Sequence, residues 1–224
     1  MQITKGCILK ITPYKDSSSI IGVFTQEFGW ISYCIKGLRG QGKKAKSYRA
    51  LLRPMMLVEI QTQHYLQSER LPYLSQLDWV YLPKSLYQDP IKINLLFCIN
   101  ETLNMCLENT PKQKELYEFI ALSLQYLDTA SYMGNFLNVF LIKLSRFLGF
   151  GLFKKSIKTL PIATRLQLIL INYTQLHYHT LQEYKTNASD KRQITSILFY
   201  WYGKNIPNFQ EPKSWKTLLE LASR

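Results

Sequence analysis

The sequence predicts an α+β protein: a small N-terminal β-barrel over residues 1–80, followed by an all-α helical domain over residues 81–224. Three observations lead there. Short β-branched and aromatic runs separated by turn residues fill the first part of the chain. Beyond them, apolar residues recur at helical spacing to the C-terminus. A chain of 224 residues with 46% apolar content can also bury a sizeable core. No internal repeat or low-complexity linker interrupts this order.

The strands come first. Residues 6–12 alternate loosely, with Cys7, Leu9 and Ile11 on one face. Asp16-Ser17-Ser18-Ser19 turns the chain into a β-branched strand over residues 20–25. Glu27-Phe28-Gly29 is a short hairpin connection into a third strand over residues 30–36. Residues 55–63 form a fourth, with Pro54 tolerated at its start, and residues 74–81 a fifth. Five short strands with tight turns favour a closed barrel such as an OB-fold, because an open sheet would leave its edges exposed.

The helices follow. Residues 91–108 carry Leu95, Leu96, Ile99, Leu103 and Leu107 on one face. Thr110-Pro111 starts the next helix, where the missing proline N–H does no harm, and that helix runs to Leu127. Residues 135–148 are apolar around most of the circumference, which predicts the central helix of a bundle. Gly149 suits the left-handed residue that ends it. Residues 161–176, 191–202 and 214–222 complete the domain.

Composition excludes several classes. No apolar run approaches the roughly 18–20 residues of a membrane helix, and the first residues lack the apolar core of a signal peptide. Cys7, Cys34, Cys98 and Cys106 are widely spaced and form no CxxC pair, which argues against a disulfide framework or a zinc ribbon. The expected compartment is the cytoplasm. With 28 Lys+Arg against 15 Asp+Glu, the net charge is +13, and such a field attracts polyanions. Lysine outnumbers arginine 20 to 8, as an AT-rich genome also produces, so the location of the charge is more informative than its sum.

The strongest local feature is residues 36–53, where 18 residues hold seven cations and no acid: Lys36, Arg39, Lys43, Lys44, Lys46, Arg49 and Arg53. Gly37, Gly40 and Gly42 loosen the segment, and Trp30, Tyr33 and Tyr48 lie near it in sequence. Long cationic arms beside aromatic faces are what a nucleic-acid strand needs, the arms for phosphates and the rings for bases. The competing reading is a solvated loop whose lysines only aid solubility. Trp30 and Tyr33 point to opposite faces of one strand, so at most one of them is exposed. A second feature is the absence of any acid between Asp128 and Glu183, where Lys143, Arg146, Lys154, Lys155, Lys158 and Arg165 occur. Beside an apolar helix such a set suits an acidic, partly apolar peptide, or is an ordinary basic surface.

Enzymatic patterns are missing. Gly40-Gln41-Gly42-Lys43-Lys44 has the wrong length for a phosphate-binding P-loop. His177 and His179 are two apart and would face different sides of a helix, while His64 stands alone in a strand. The carboxylates are scattered singly, without a pair for acid/base work or Mg²⁺. Cys98 and Cys106 lie on an apolar helix and read as core. No catalytic residue, metal or cofactor is expected.

At the basic segment the sequence resembles a known family. Thr4-Lys5-Gly6-Cys7-Ile8-Leu9-Lys10, Tyr14 with Asp16-Ser17, Phe24-Thr25-Gln26-Glu27-Phe28-Gly29, Lys36-Gly37, and Leu52-Arg53-Pro54 through Leu57-Val58-Glu59 resemble the RecO family of recombination mediators. Asn135-Phe136 and the run from Phe140 to Phe150 resemble that family's central helix, particularly in its Bacteroidetes-type members. Ile206-Pro207-Asn208-Phe209 with Lys213-Ser214 is similar to its C-terminal signature.

The resemblance implies an N-terminal OB-fold and a C-terminal helical domain. It implies a DNA repair protein that binds single- and double-stranded DNA, anneals complementary strands, and helps load recombinase on SSB-coated strands together with RecR. Carried onto this chain, Lys36, Arg39, Lys43, Lys44, Lys46, Arg49 and Arg53 would grip DNA, and Lys143 and Arg146 would belong to a pocket for the acidic C-terminal tail of SSB. The expected place is the cytoplasm, at the nucleoid. Many family members carry four zinc-binding cysteines after the central helix, whereas this chain has none beyond Cys106; packing alone would then stabilise the domain. From composition, two alternatives stay open: an RNA-binding or ribosome-associated OB-fold protein, or an interaction protein whose charge is incidental.

Overall fold

A computed structural model describes residues 2–36, 52–62 and 71–221. The chain divides into two compact units, Met1–Pro83 with Leu107–Gln125, and Lys84–Cys106 with Tyr126–Arg224.

The first unit is built on five antiparallel strands, β1 (Gln2–Tyr14), β2 (Ser18–Thr25), β3 (Gly29–Ile35), β4 (Leu57–Thr62) and β5 (Leu74–Trp79), in the order β3-β2-β1-β4-β5. β1 pairs with β4 through its first half, from Gln2↔Thr62 to Cys7↔Leu57, and with β2 through its second, from Gly6↔Thr25 to Tyr14↔Ser18. A register shift between Ile8 and Lys10 lets Cys7, Ile8 and Leu9 all bury. Such a bulge bends the strand and sharpens its twist, so the sheet curls over a core of Ile8, Ile21, Val23, Tyr33 and Ile60.

The curl stops short of the closed barrel that the strand pattern predicts; the sheet is OB-like but open. Its edges meet at one parallel bridge, Cys34↔Tyr73, where the Cys34 N–H donates to the Pro72 carbonyl at 2.9 Å. Pro72 has a carbonyl to offer but no N–H, so a ladder cannot continue through it.

Residues 107–125 cover part of this sheet. Asn109 adopts a left-handed φ of 63° and Thr110 accepts from the Trp30 N–H at 2.9 Å. The segment runs so close to the β2–β3 turn that a Cβ on Gly29 (φ +72°) would lie 2.4 Å from the Thr110 oxygen. This contact corrects the expected helix start at Thr110-Pro111. Thr110's carbonyl is committed to β3, and the helix begins only at Lys114.

Seven helices follow the sheet among the described residues: α1 (Pro90–Leu107), α2 (Lys114–Thr129), α3 (Phe136–Phe147), α4 (Lys154–Lys158), α5 (Thr164–Tyr173), α6 (Ala188–Asn205) and α7 (Lys213–Leu221). Asp89 caps α1, its carboxylate accepting from the N–H groups of Ile91 at 2.8 Å and Lys92 at 3.2 Å, with Pro90 in the first turn.

In the second unit α3 is the central helix, and every residue from Phe136 to Ile142 is buried. Its polar atoms are satisfied by neighbours, as burial demands. The Asn135 amide donates to the carbonyls of Leu181 and Tyr184, and its oxygen accepts from the Tyr173 hydroxyl at 2.9 Å. The Tyr202 hydroxyl donates to the Leu141 carbonyl at 2.7 Å. The helix ends as its glycine predicts: Gly149 takes φ +86°, with Gly149 N–H on the Arg146 carbonyl and Phe150 N–H on that of Ser145.

Candidate nucleic-acid interface

Two of the seven cations of the basic segment belong to the described residues, and both are exposed. Lys36 directly follows β3, whose last residue pairs with Ser19. Its ammonium lies 4.2 Å from the centroid of the Tyr73 ring, over the ring face. Arg53 stands where the chain returns to the sheet. That return is pinned by backbone hydrogen bonds from Met55 N–H to the Ile8 carbonyl (2.6 Å) and from Ile8 N–H to that of Met56 (3.0 Å), and Met55 and Met56 are buried. Arg39, Lys43, Lys44, Lys46 and Arg49 lie outside the described residues, as does Tyr48.

The aromatic residues separate as strand parity requires. Tyr33 is fully buried, and burial pushes its hydroxyl well above the ordinary tyrosine range. No base can reach it. Trp30 is half-buried, with its indole across Gly22 and close to the Lys10 stem. The aromatic residue that stands out is Tyr73, 53% exposed beside Lys36. It is remote from the basic segment in sequence, so residue spacing could not find it.

In the second unit, Lys143 and Arg146 share a face of α3, three residues apart. Lys143 is half-buried, and its pKa is lowered first by that burial and then by the Arg146 charge. Arg146 donates to the Thr174 carbonyl at 2.9 Å. Exposed Phe147 and Phe153 lie along the same stretch as exposed Lys154, Lys155 and Lys158. The stretch is free of acids in sequence but not in space: Arg165 is paired with Asp190 of α6 at 2.7 Å.

Polar clusters elsewhere are structural. Asp128 is buried and its carboxylate accepts from the N–H groups of Lys84 (2.9 Å), Ser85 (2.7 Å) and Leu86 (2.8 Å). The Lys92 ammonium, also buried, donates to the Asp128 carbonyl at 2.6 Å and to Ser85 Oγ at 2.8 Å. His177 and His179 do not face opposite sides of a helix. His177 precedes and His179 lies within a 3₁₀ turn, Tyr178–Thr180, with their rings stacked 5.6 Å apart. His64 lies outside the described residues.

Among the described residues no group of three or more His, Cys, Asp or Glu side chains is placed to hold a metal. The segment after α3, where the resemblance raised a zinc site, contains no cysteine and instead buries Leu152 and Ile157 completely. The residues present do not fit zinc. Also among the described residues, no helix is long and apolar enough to cross a membrane.

Comparison with known proteins agrees with this architecture. The family described as "Recombination protein O N terminal" matches residues 1–83, and "Recombination protein O C terminal" matches residues 87–153. The chain is 25% identical to the DNA repair protein RecO of Christiangramia forsetii, over 97% of this chain and 98% of the relative. It is 27% identical to that of Azobacteroides pseudotrichonymphae over 94% and 95%, and 25% identical to that of Phocaeicola vulgatus over the full length of both.

Proposed function

This chain belongs to the RecO family of DNA repair and recombination proteins, and from that premise we propose that it works as a non-catalytic recombination mediator. It binds single- and double-stranded DNA through Lys36, Arg39, Lys43, Lys44, Lys46, Arg49 and Arg53. It anneals complementary strands and, with RecR, helps load recombinase on strands coated by SSB. Lys143 and Arg146 take part in holding the acidic C-terminal tail of SSB. It acts in the cytoplasm, at the nucleoid.

The observation that carries the reading is the placing of the basic segment. Both of its described ends are tied to one small sheet, and both of its described cations, Lys36 and Arg53, are exposed. Cations held there neutralise phosphates and release counterions. The same neutralisation lets two like-charged strands approach, which is the physical basis of annealing. The half-buried Lys143 next to Arg146 favours a carboxylate partner, because the attraction of an incoming negative charge offsets the lysine's desolvation cost and the cation–cation repulsion.

Annealing of complementary DNA strands already coated with SSB tests the proposal. The expected result is acceleration by this protein, lost when SSB lacks its acidic tail. Strands that anneal at the unassisted rate, with affinity for RNA instead, would overturn it in favour of an RNA-binding role.

A further inference from the structure

We infer that Tyr73 is a base-stacking platform for single-stranded DNA, with Lys36 serving the phosphate next to the stacked base. This rests on the DNA-binding reading above and assigns a residue and a contact to it.

The backbone of Tyr73 is fixed from two sides. It bridges Cys34 at the point where the two edge strands meet, and its carbonyl accepts from Thr62 Oγ1 at 3.3 Å. The preceding Pro72 carbonyl accepts from the Cys34 N–H at 2.9 Å. A ring on so constrained a backbone loses little freedom when a partner lands on it. The residue is nevertheless 53% exposed, so a large aromatic side chain stands at the surface. Lys36 adds the second element. Its ammonium sits 4.2 Å from the ring centroid, at the start of the chain's most basic segment. An exposed aromatic residue with a cation on a long side chain against its ring matches the two parts of a nucleotide, since every base has a π-face and every phosphate a charge. A double helix keeps its bases stacked inside, so this contact is selective for single strands. Tyr14, with Lys15 5.3 Å over its ring, has similar chemistry, but Tyr14 is 36% exposed against 53% for Tyr73, and the cation over its ring is not one of the basic segment.

The test uses the full chain and two strands of about 16 nucleotides, an oligo-dT and one of equal length with abasic sites, which keep the phosphates and remove the rings. Wild type is expected to prefer oligo-dT. Tyr73→Ala should abolish that preference by weakening oligo-dT binding roughly 5- to 100-fold, with duplex affinity and the salt slope unchanged. Tyr73→Trp should keep the preference. Lys36→Gln should keep it too, while flattening the single-strand salt slope by about 0.7. Thermal melting confirms that each variant is folded. If Tyr73→Ala discriminates between the strands as wild type does, the platform is refuted and DNA binding stands. A wild-type protein that holds neither strand refutes the DNA-binding reading, and the platform with it.

Discussion

Lys143, proposed above to hold an acidic peptide, is a residue where that proposed role and stability separate. Its lowered pKa means that the folded protein disfavours the charge. For a lysine shifted this way, the penalty is complete at neutral pH and fades as pH rises from the folded pKa toward 10.5. Lys143→Met should therefore leave the neutral-pH stability unchanged, or raise it by up to about 1 kcal/mol. The same change should weaken an acidic, apolar peptide with a free C-terminal carboxylate by about tenfold; urea unfolding and calorimetry read the two effects, and unchanged peptide heats would remove Lys143 from the pocket. Asp128 behaves oppositely. Its carboxylate occupies three backbone N–H groups, that of Leu86 buried and those of Lys84 and Ser85 part-buried, and Asp128→Ala would take this partner from all three. Urea midpoints should record a loss of about 2–4 kcal/mol. Sequence made Lys143 and Arg146 visible through the absence of acids around them. It concealed the partners that arrive from elsewhere in the chain, Asp190 for Arg165 and Tyr73 for Lys36.

Two glycines with similar backbones separate strain from crowding at the level of elements. Gly149 closes α3 at φ +86° with open space where a Cβ would sit, so Gly149→Ala should cost only the left-handed penalty, about 1–2 kcal/mol. At Gly29, φ +72°, an added Cβ would lie within 2.7 Å of the backbone of Thr110, Pro111 and Lys112. There, alanine should cost clearly more, about 3 kcal/mol or above, because backbone cannot step aside as a side chain can. Equal urea midpoints for the two variants would contradict the close approach. The apolar periodicities behind the strands and the long helices were legible because burial imposes them. What escaped was set by hydrogen bonds that apolar patterning does not record. β1 begins at Gln2 because Gln2–Lys5 pair with β4, although that stretch is largely polar. The second helix starts late because Thr110 serves β3. α4 spans five residues, too short for a period to be read. The sheet stays open because its edges share only the isolated Cys34–Tyr73 bridge among the described residues, and alternation along separate strands says nothing about how their edges meet.

The whole molecule carries many groups that burial holds in the neutral state. Hydroxyls of Tyr33, Tyr117 and Tyr202 are raised above the ordinary 10.0, that of Tyr173 to about 12. Thiols of Cys7 and Cys98 are likewise raised above 9.0. A group whose folded pKa is raised gives its full stability below the unfolded value and loses it as pH climbs toward the folded one. The urea midpoint should therefore fall above about pH 9 as these groups begin to ionise in the unfolded chain. Tyrosinate absorbance should show the buried rings silent until the protein opens; their smooth titration in the native state would contradict the packing.

The charge of the molecule is equally legible as a sum, +13, but only a binding experiment assigns it a partner. The most direct one is a salt titration of single-strand affinity for wild type and for the triple variant Lys43→Glu, Lys44→Glu, Lys46→Glu. Engagement of about five phosphates predicts that log K falls with log[salt] at a slope of about −3.5 for wild type, and a markedly flatter line for the variant. Superimposable titrations would show that the basic segment is not what holds DNA.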